Sequence, residues 1–528
     1  MWTTGLSTRG FRVRRIRSVG LFQLAIWVLS TACSAEQIPN DAVAQTRAWP
    51  LRIRADLRGL EDQNGVEFVL KGDAGWQLTT IADLGPPNDV TDYLDDLVSR
   101  AGNAILVRLI DEHFPDTPPL NKNDDSPWGT NAPRAFVTMT DPSAAPYWDF
   151  VDTVVEAADT RGILVLFTHA YPGFECRQGA AAELEALSAA EARAYGEWLG
   201  QRFQQPGNVL WVHGGDVDAS TDPGCAEFPN LEDRIEDIYE GLRSAWPGSL
   251  HTAHSGRDLT GREGYGQFID DPAEGDIESV YADCTQIGAS SEFPRQIRDA
   301  ARSDAPGLSQ LPFFNIEGRY SNNGISTSDA CQRAQTWWPL LGGGFGAVAG
   351  NEGVWCFDRV GENKCSNFSV VDGPWRDNLG HPGVHAYLVV DRILGEIDLL
   401  SLEPDFDHLV MTAGFGSIDD STYAPAARSN DAVVAYLPDA REVVFDFSGL
   451  GPLEARWIDA ANGSETPIGS LSGAGNSVSP PGSGDWIFIA VPEPSAGALA
   501  TAVLSIVLAI GLCRRRTASA KGRRLSSG

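Results

Sequence analysis

The chain has 528 residues, with 40 Lys and Arg against 71 Asp and Glu and a formal net charge of −31 at pH 7. That length suffices for two folded units with sizeable cores plus targeting segments. Such an acidic balance argues against nucleic acid as a partner, because a phosphate backbone is gripped by a basic surface.

Both ends read as addresses. Five arginines (Arg9, Arg12, Arg14, Arg15 and Arg17) precede an apolar run over 19–29 and small residues over 30–35. This is the order of a secretory signal, so residues 1–35 are expected to be a signal peptide cut after Ala32 or Ala35. Residues 29–33 also form an imperfect lipoprotein box ending in Cys33. At the other end, the VPEP of 491–494 is followed by an apolar run over about 496–512 and by Arg514, Arg515 and Arg516. The run is near the lower limit for spanning a bilayer, and the arginines would stay cytoplasmic. In this order of motif, span and basic tail, residues 492–528 resemble the PEP-CTERM sorting signal of Gram-negative bacteria. The resemblance implies an exosortase-type sorting enzyme and the membrane as partners, with a plain tail anchor as the alternative. The body would then lie in the cell envelope, on the surface or outside the cell. Removing residues 1–35 and 495–528 takes away eleven basic residues and moves the charge to about −42.

Six cysteines remain in the body: Cys176, Cys225, Cys284, Cys331, Cys356 and Cys365. An even number in an exported chain suggests disulfides. Cys356 and Cys365 are the expected pair by proximity, and the other pairings stay open. No CxxC spacing points to a zinc site, and no cofactor is expected.

Residues 36–47 read as a linker, and 51–70 as a hairpin about Asp62-Gln63-Asn64-Gly65, since Asn-Gly suits a tight turn. Apolar strands then alternate with amphipathic helices. The strands fall at 66–70, 104–110, 163–167, 208–218, 250–253, 277–282, 311–320 and 344–350. Helices fall at 89–101, 147–159, after a capping box at Ser188 and Glu191, at 231–246 and at 384–394. Eight such units predict an α/β fold, a (β/α)8 TIM barrel over 48–403. An open doubly wound sheet is the alternative, but no Gly-rich phosphate loop follows the first strand. From 404 to 491 short β-type runs separated by Gly, Pro, Asn and Asp predict a small all-β sandwich, with 470–484 as a mobile loop.

Two runs share one design. NVLWVHGGDVD (208–218) and LPFFNIEGRY (311–320) are apolar strands that end in a carboxylate, Asp216 and Glu317. In a barrel the strand C-termini converge on one face. There Asp216 and Glu317 would meet Asp73, Trp76, Glu112, His113, His169, Tyr171, His254, Tyr281, Tyr320 and Trp355. Aromatic faces suit sugar rings, and glycoside cleavage needs one carboxylic acid to protonate the leaving oxygen and a carboxylate opposite it. Asp216 and Glu317 are therefore the expected catalytic pair, with the other ten lining a sugar site and Asp218 and Glu352 in reserve. Asp216 as a helix cap and Glu317 as a salt-bridge partner of Arg319 or Arg108 are the structural alternatives. The competing functions are a glycan-binding protein without catalysis and a metal-dependent hydrolase using His169, His251 and His254.

KGDAGW (71–76), GNAILVRL (102–109), VLWVHGGDVD (209–218), HTAH (251–254) and NIEGRY (315–320) together resemble the apiosidase-like glycoside hydrolases, the DUF4038 group that includes family 140. Ala74-Gly75 stands where that family commonly has Thr-Ala. The resemblance implies a TIM barrel, a polysaccharide or oligosaccharide substrate, Asp216 as acid/base, and Glu317 as nucleophile or base. Asp73 and Trp76 would lie at the sugar subsite. The segment around Ala455 to Asp459 resembles the small β-domain that follows in that family under a collagen-binding label, and nothing in its residues gives a physical reason to expect collagen.

Overall fold

The computed structural model describes residues 47–493 apart from 130–138, 219–221, 257–265, 267, 270–274, 282–283, 285–292, 303–310, 323–327 and 359–373. Contacts divide the chain into Met1–Gln45 and Thr46–Gly528, and only the second contains described residues. The signal-peptide expectation and, from residue 494 onward, the sorting-signal expectation thus lie outside them. Among the described residues no helix is long and apolar enough to cross a membrane.

The expected hairpin is present. Leu60–Glu61 pairs antiparallel with both Arg52–Ile53 and Glu67–Phe68. Asp62 Oδ1 builds the turn by accepting from the amides of Asn64 and Val66 at 2.8 and 2.9 Å.

Eight parallel strands follow: β1 (Leu70–Ala74), β2 (Ala104–Arg108), β3 (Leu164–Thr168), β4 (Val209–Val217), β5 (Leu250–Ser255), β6 (Glu278–Tyr281), β7 (Phe313–Glu317) and β8 (Gly346–Ala349). They form one sheet in the order β5-β4-β3-β2-β1-β8-β7-β6. β1 pairs with β8, and the Ser279 hydroxyl donates to the Ala253 carbonyl across the remaining seam between β5 and β6. This is a nearly closed (β/α)8 barrel. Residue alternation separates its two apolar layers. Leu106, Leu166, Leu210 and Val212 fill the interior, whereas Ile105, Val107, Phe167 and Trp211 face the surrounding helices.

One expected boundary moves. The apolar run over 66–70 largely belongs to the hairpin, and the first barrel strand is the more polar Leu70–Ala74. Its charges are matched from outside: Lys71 Nζ pairs with Asp391 at 2.7 Å, while Asp73 accepts from the Tyr93 hydroxyl and His381.

The principal helices are α1 (Asp89–Ser99), α2 (Ala145–Asp159), α3 (Ala189–Phe203), α4 (Leu231–Ala245), α5 (Phe293–Ala301), α6 (Asp329–Leu341) and α7 (Pro382–Leu394). Asn88 caps α1, and the Ser188–Glu191 capping box opens α3. The sequence reading did not anticipate α5 or α6. Helix α6 is buried along nearly its whole length and contains Pro339, so it lacks the polar stripe that marks a surface helix.

That burial has a structural cause, because α6 lies between the barrel and the C-terminal sheets. Nine strands make up the latter: β9 (Glu403–Pro404), β10 (Met411–Ala413), β11 (Ala426–Arg428), β12 (Val433–Leu437), β13 (Val443–Phe447), β14 (Leu453–Asp459), β15 (Glu465–Leu471), β16 (Gly473–Val478) and β17 (Trp486–Pro492). They form a six-stranded sheet, β9-β11-β12-β17-β14-β15, and a three-stranded sheet, β10-β13-β16. Phe445, Phe447, Trp457 and Phe488 pack in a common core. The expected loop over 470–484 is corrected in part: β16 occupies 473–478 and pairs with β13. Its Gly- and Ser-rich composition hid it, since a largely exposed edge strand is held by backbone hydrogen bonds without apolar alternation.

Helix α6 is bolted to these sheets. Arg333 makes two hydrogen bonds to Asp485, at 2.8 and 2.7 Å, and Tyr436 donates to the same carboxylate at 3.0 Å. Trp338 Nε1 donates to the Tyr423 carbonyl at 2.9 Å. Two disulfides join Cys176 to Cys225 and Cys284 to Cys331. Cys356 is also disulfide-bonded, and its expected partner Cys365 lies outside the described residues.

Candidate active site

At the C-terminal rim β4 stops being regular. Its pairing with β5 shifts between Gly214 and Val217, a bulge that contains Gly215 and Asp216. Gly214 and Gly215 have φ of +74° and +149°. A Cβ at Gly215 would sit 2.1 Å from the Tyr171 ring, so only glycine permits the approach. Asp216 itself has φ +50°, a conformation that costs a non-glycine residue roughly 1–3 kcal/mol and that clusters at functional sites.

His254, fully buried at the end of β5, ties this bulge to β7. The Asp216 amide donates to His254 Nδ1 at 3.1 Å. An imidazole nitrogen that accepts carries no proton, so the His254 proton is on Nε2. Nε2 lies 2.9 Å from Glu317 Oε2. Behind Glu317, helix α6 fixes the chain: Gln335 accepts from the Arg319 amide at 2.6 Å, and Gln332 and Gln335 donate to the Arg319 carbonyl at 2.9 and 3.0 Å.

Asp216 and Glu317 line one cavity of about 170 Å³. Its aromatic walls are Trp76, Phe114, Tyr171, Tyr281, Tyr320 and Trp355, and Arg108, Gln178, Gly318, Arg319 and Glu352 complete it. The walls are cross-braced. Trp76 Nε1 donates to the Tyr320 hydroxyl at 2.6 Å, and the Trp76 ring stacks on His254 at 5.7 Å. Arg108 lies over the Tyr171 ring at 3.6 Å and pairs with Asp111 at 3.1 Å. Burial, and after it the Glu317 charge, holds the Tyr320 phenol well above its ordinary range. Burial also pushes the Glu352 carboxyl up to about 7; Glu317 adds to the rise, while a hydrogen bond from Trp355 and the charge of Arg319 oppose it.

A family model described as apiosidase-like, catalytic domain, matches residues 54–401. The chain belongs to that family. Among solved structures, this apiosidase-like chain is similar to a glycoside hydrolase family 5 protein from Bacteroides vulgatus ATCC 8482, at 20% identity and TM-score 0.67 over 84% of this chain and 92% of that one. It is similar also to a second glycoside hydrolase, at 19% identity and TM-score 0.67 over 84% and 97%. At these identities the likeness concerns the fold. No curated protein matches.

Of the sequence-derived residues, Asp216, Glu317, Trp76, Tyr171, Tyr281, Tyr320 and Trp355 meet at the apiosidase-like cavity, with His254 directly behind it. The other four do not line it. Asp73 is 3% exposed and binds Tyr93 at 3.0 Å and His381 at 2.9 Å. Glu112 and His113 follow β2, where exposed His113 packs edge-on against Phe114. His169 begins a buried chain between the barrel wall and the helices. Its Nε2 is 2.9 Å from His213 Nδ1, His213 Nε2 is 2.9 Å from His251 Nδ1, and His251 Nε2 is 2.7 Å from Ser249 Oγ. Ser249 donates to the Trp246 carbonyl at 2.7 Å, which can only accept. Every imidazole in the chain must therefore carry its proton on Nε2. His169 and His251 belong to this chain and His254 faces the interior, so the three do not converge as a metal-ligand set.

Phe114, Gln178 and Arg108 are cavity residues that the site prediction omitted. Arg108 did carry a signal, as the charged residue ending the apolar strand AILVR. Gln178 lies on a loop, where no periodicity marks it.

Proposed function

We propose that the chain is an exported glycoside hydrolase that cleaves a plant or bacterial polysaccharide or oligosaccharide. Asp216 serves as acid/base and Glu317 as nucleophile in a retaining mechanism. The observation that carries this reading is the pair of carboxylates from β4 and β7 lining one aromatic cavity, with His254 taking the Asp216 backbone amide on Nδ1 and standing 2.9 Å from Glu317 at Nε2. Aromatic faces would hold the sugar ring, and Arg108 and Gln178 offer donors to its hydroxyls.

The chemistry balances with these two groups. Asp216 donates its proton to the glycosidic oxygen as the bond to the anomeric carbon breaks, and a Glu317 oxygen bonds to that carbon. Asp216, now ionised, takes a proton from water; the water oxygen attacks the anomeric carbon and Glu317 is released. The Nε2–H of His254, beside Glu317, and the hydroxyl of Tyr320 orient the nucleophile.

Two disulfides suit an oxidising compartment. We extend the reading to export through residues 1–35, a catalytic domain over 48–403, a bracing β-sandwich over 404–491 and surface sorting through 492–528. Azide rescue on a panel of aryl glycosides tests the assigned roles. With Glu317→Ala, azide should replace the lost nucleophile and yield a glycosyl azide of inverted configuration; with Asp216→Ala, it should trap the intermediate with configuration retained. Azides of one configuration from both variants would overturn the assignment.

A further inference from the structure

We propose that Glu352 determines specificity in the sugar site, acting as a neutral carboxylic acid whose O–H donates to a substrate hydroxyl beside Glu317. This rests on the glycoside hydrolase reading and adds a third carboxyl group with a different task.

Placement is the first support. Glu352 opens a single helical turn, Glu352–Trp355, directly after β8, the strand next to that of Glu317. Asn351 Oδ1 caps this turn by accepting from Gly353 and Val354, and Asn351 Nδ2 donates to Ser321 Oγ at 2.9 Å. The Glu352 amide donates to the Ser321 carbonyl at 3.0 Å. The turn is thereby pinned to the chain following Glu317, and the Glu352 side chain lines the cavity while only 7% exposed.

Hydrogen-bond chemistry gives the orientation. Trp355 Nε1 lies 2.7 Å from Glu352 Oε2. An indole N–H only donates, so Oε2 must accept, and the proton of the neutral acid belongs on Oε1. A carboxylate would present only acceptors, whereas the acid presents a donor.

Electrostatics favour the acid. Glu317 and Arg319 face Glu352 from the end of β7 with Tyr320, and Trp355 faces it from its own turn. Across the cavity stand Asp216, Arg108, Tyr171 and Tyr281. Ionising Glu352 would bring a second carboxylate charge into the cavity beside that of Glu317, the proposed nucleophile. Burial and Glu317 together leave the group protonated below a pH of about 7.

The test is the pH dependence of KM in the full chain on a cleaved glycoside, for the parent and for Glu352→Gln and Glu352→Ala. The parent KM should rise about tenfold between pH 6 and pH 8.5, as the donor becomes an anion. Glu352→Gln, whose amide remains a donor, should raise KM a few-fold at pH 6 and then hold it flat. Glu352→Ala should raise KM at every pH. A KM that rises in Glu352→Gln as it does in the parent would overturn the proposal. Infrared titration between pH 5 and 9 gives a reading independent of turnover. A carboxylic C=O band that fades near neutrality in the parent and is missing from Glu352→Gln is expected, and no such band would overturn it. If no glycoside is cleaved, the hydrolase reading fails while the infrared result still decides whether Glu352 is a neutral acid.

Discussion

His254 Nε2 stands 2.9 Å from Glu317 Oε2, and the same ring takes the backbone amide of Asp216 on its other nitrogen. One side chain thus sets the spacing between the proposed acid and the proposed nucleophile. Replacing His254 with Asn should reduce kcat about 100-fold with a much smaller change in KM, because displacing a reacting group by about 1 Å carries that scale of loss. Steady-state kinetics on any cleaved glycoside checks the split, and a rise in KM at unchanged kcat would assign His254 to substrate binding.

Glu352 should make the fold less stable toward neutral pH. Its folded value of about 7 lies above the ordinary carboxylate value of 4.5. Between those values the folded state binds the proton that the unfolded state has released, so stability is fully present below pH 4.5 and falls as pH rises to about 7. The loss amounts to about 3 kcal/mol at 1.36 kcal/mol per unit. Urea unfolding of Glu352→Gln should match the parent near pH 5 and exceed it at pH 8.

The histidine chain should act in the opposite direction. Burial lowers His169 to about 3 and holds His213 and His251 well below their ordinary value. Their contribution is present above pH 6.5 and is lost as pH falls, since the unfolded chain takes up protons that the folded chain refuses. In His169→Gln, whose amide N–H also reaches toward His213, the decline in stability below pH 6.5 should be shallower by about 1.4 kcal/mol per pH unit. Denaturant titrations from pH 4 to pH 7 measure the slope.

The bolt between α6 and the C-terminal sheets should fail asymmetrically. Asp485→Ala leaves the Arg333 charge 7% exposed without its carboxylate, a loss of about 3–5 kcal/mol. The double replacement Arg333→Met with Asp485→Leu should recover most of it, because both charges disappear together. Because the Gln332 and Gln335 contacts to the Arg319 carbonyl come from the same helix, Asp485→Ala should also lower kcat. Unfolding curves and turnover for the two variants check both statements.

The sequence carried the barrel because most strands and helices are built from apolar residues at the right period, as in VLWVHGGDV and AILVR. It placed Asp216 and Glu317 at the rim of one cavity because an apolar strand that ends in a carboxylate delivers that group there. It was least informative where tertiary contacts replace local pattern. Lys71 and Asp73 make β1 look polar until Asp391, Tyr93 and His381 are in place. Trp337, Trp338 and Pro339 hide α6, whose burial depends on sheets more than 60 residues further along. The strand-end rule also placed His169 at the cavity, whereas it lies in the buried chain with His213.

The central claim is that Asp216 and Glu317 cut a glycosidic bond. Its most direct test is sugar release from pectic, other plant and bacterial polysaccharides by the mature body, with Asp216→Asn and Glu317→Gln in parallel. Release by the parent that collapses in both variants is the predicted result. Release that survives both substitutions would contradict the site, and equal glycan binding by all three proteins without release would make this a binding protein.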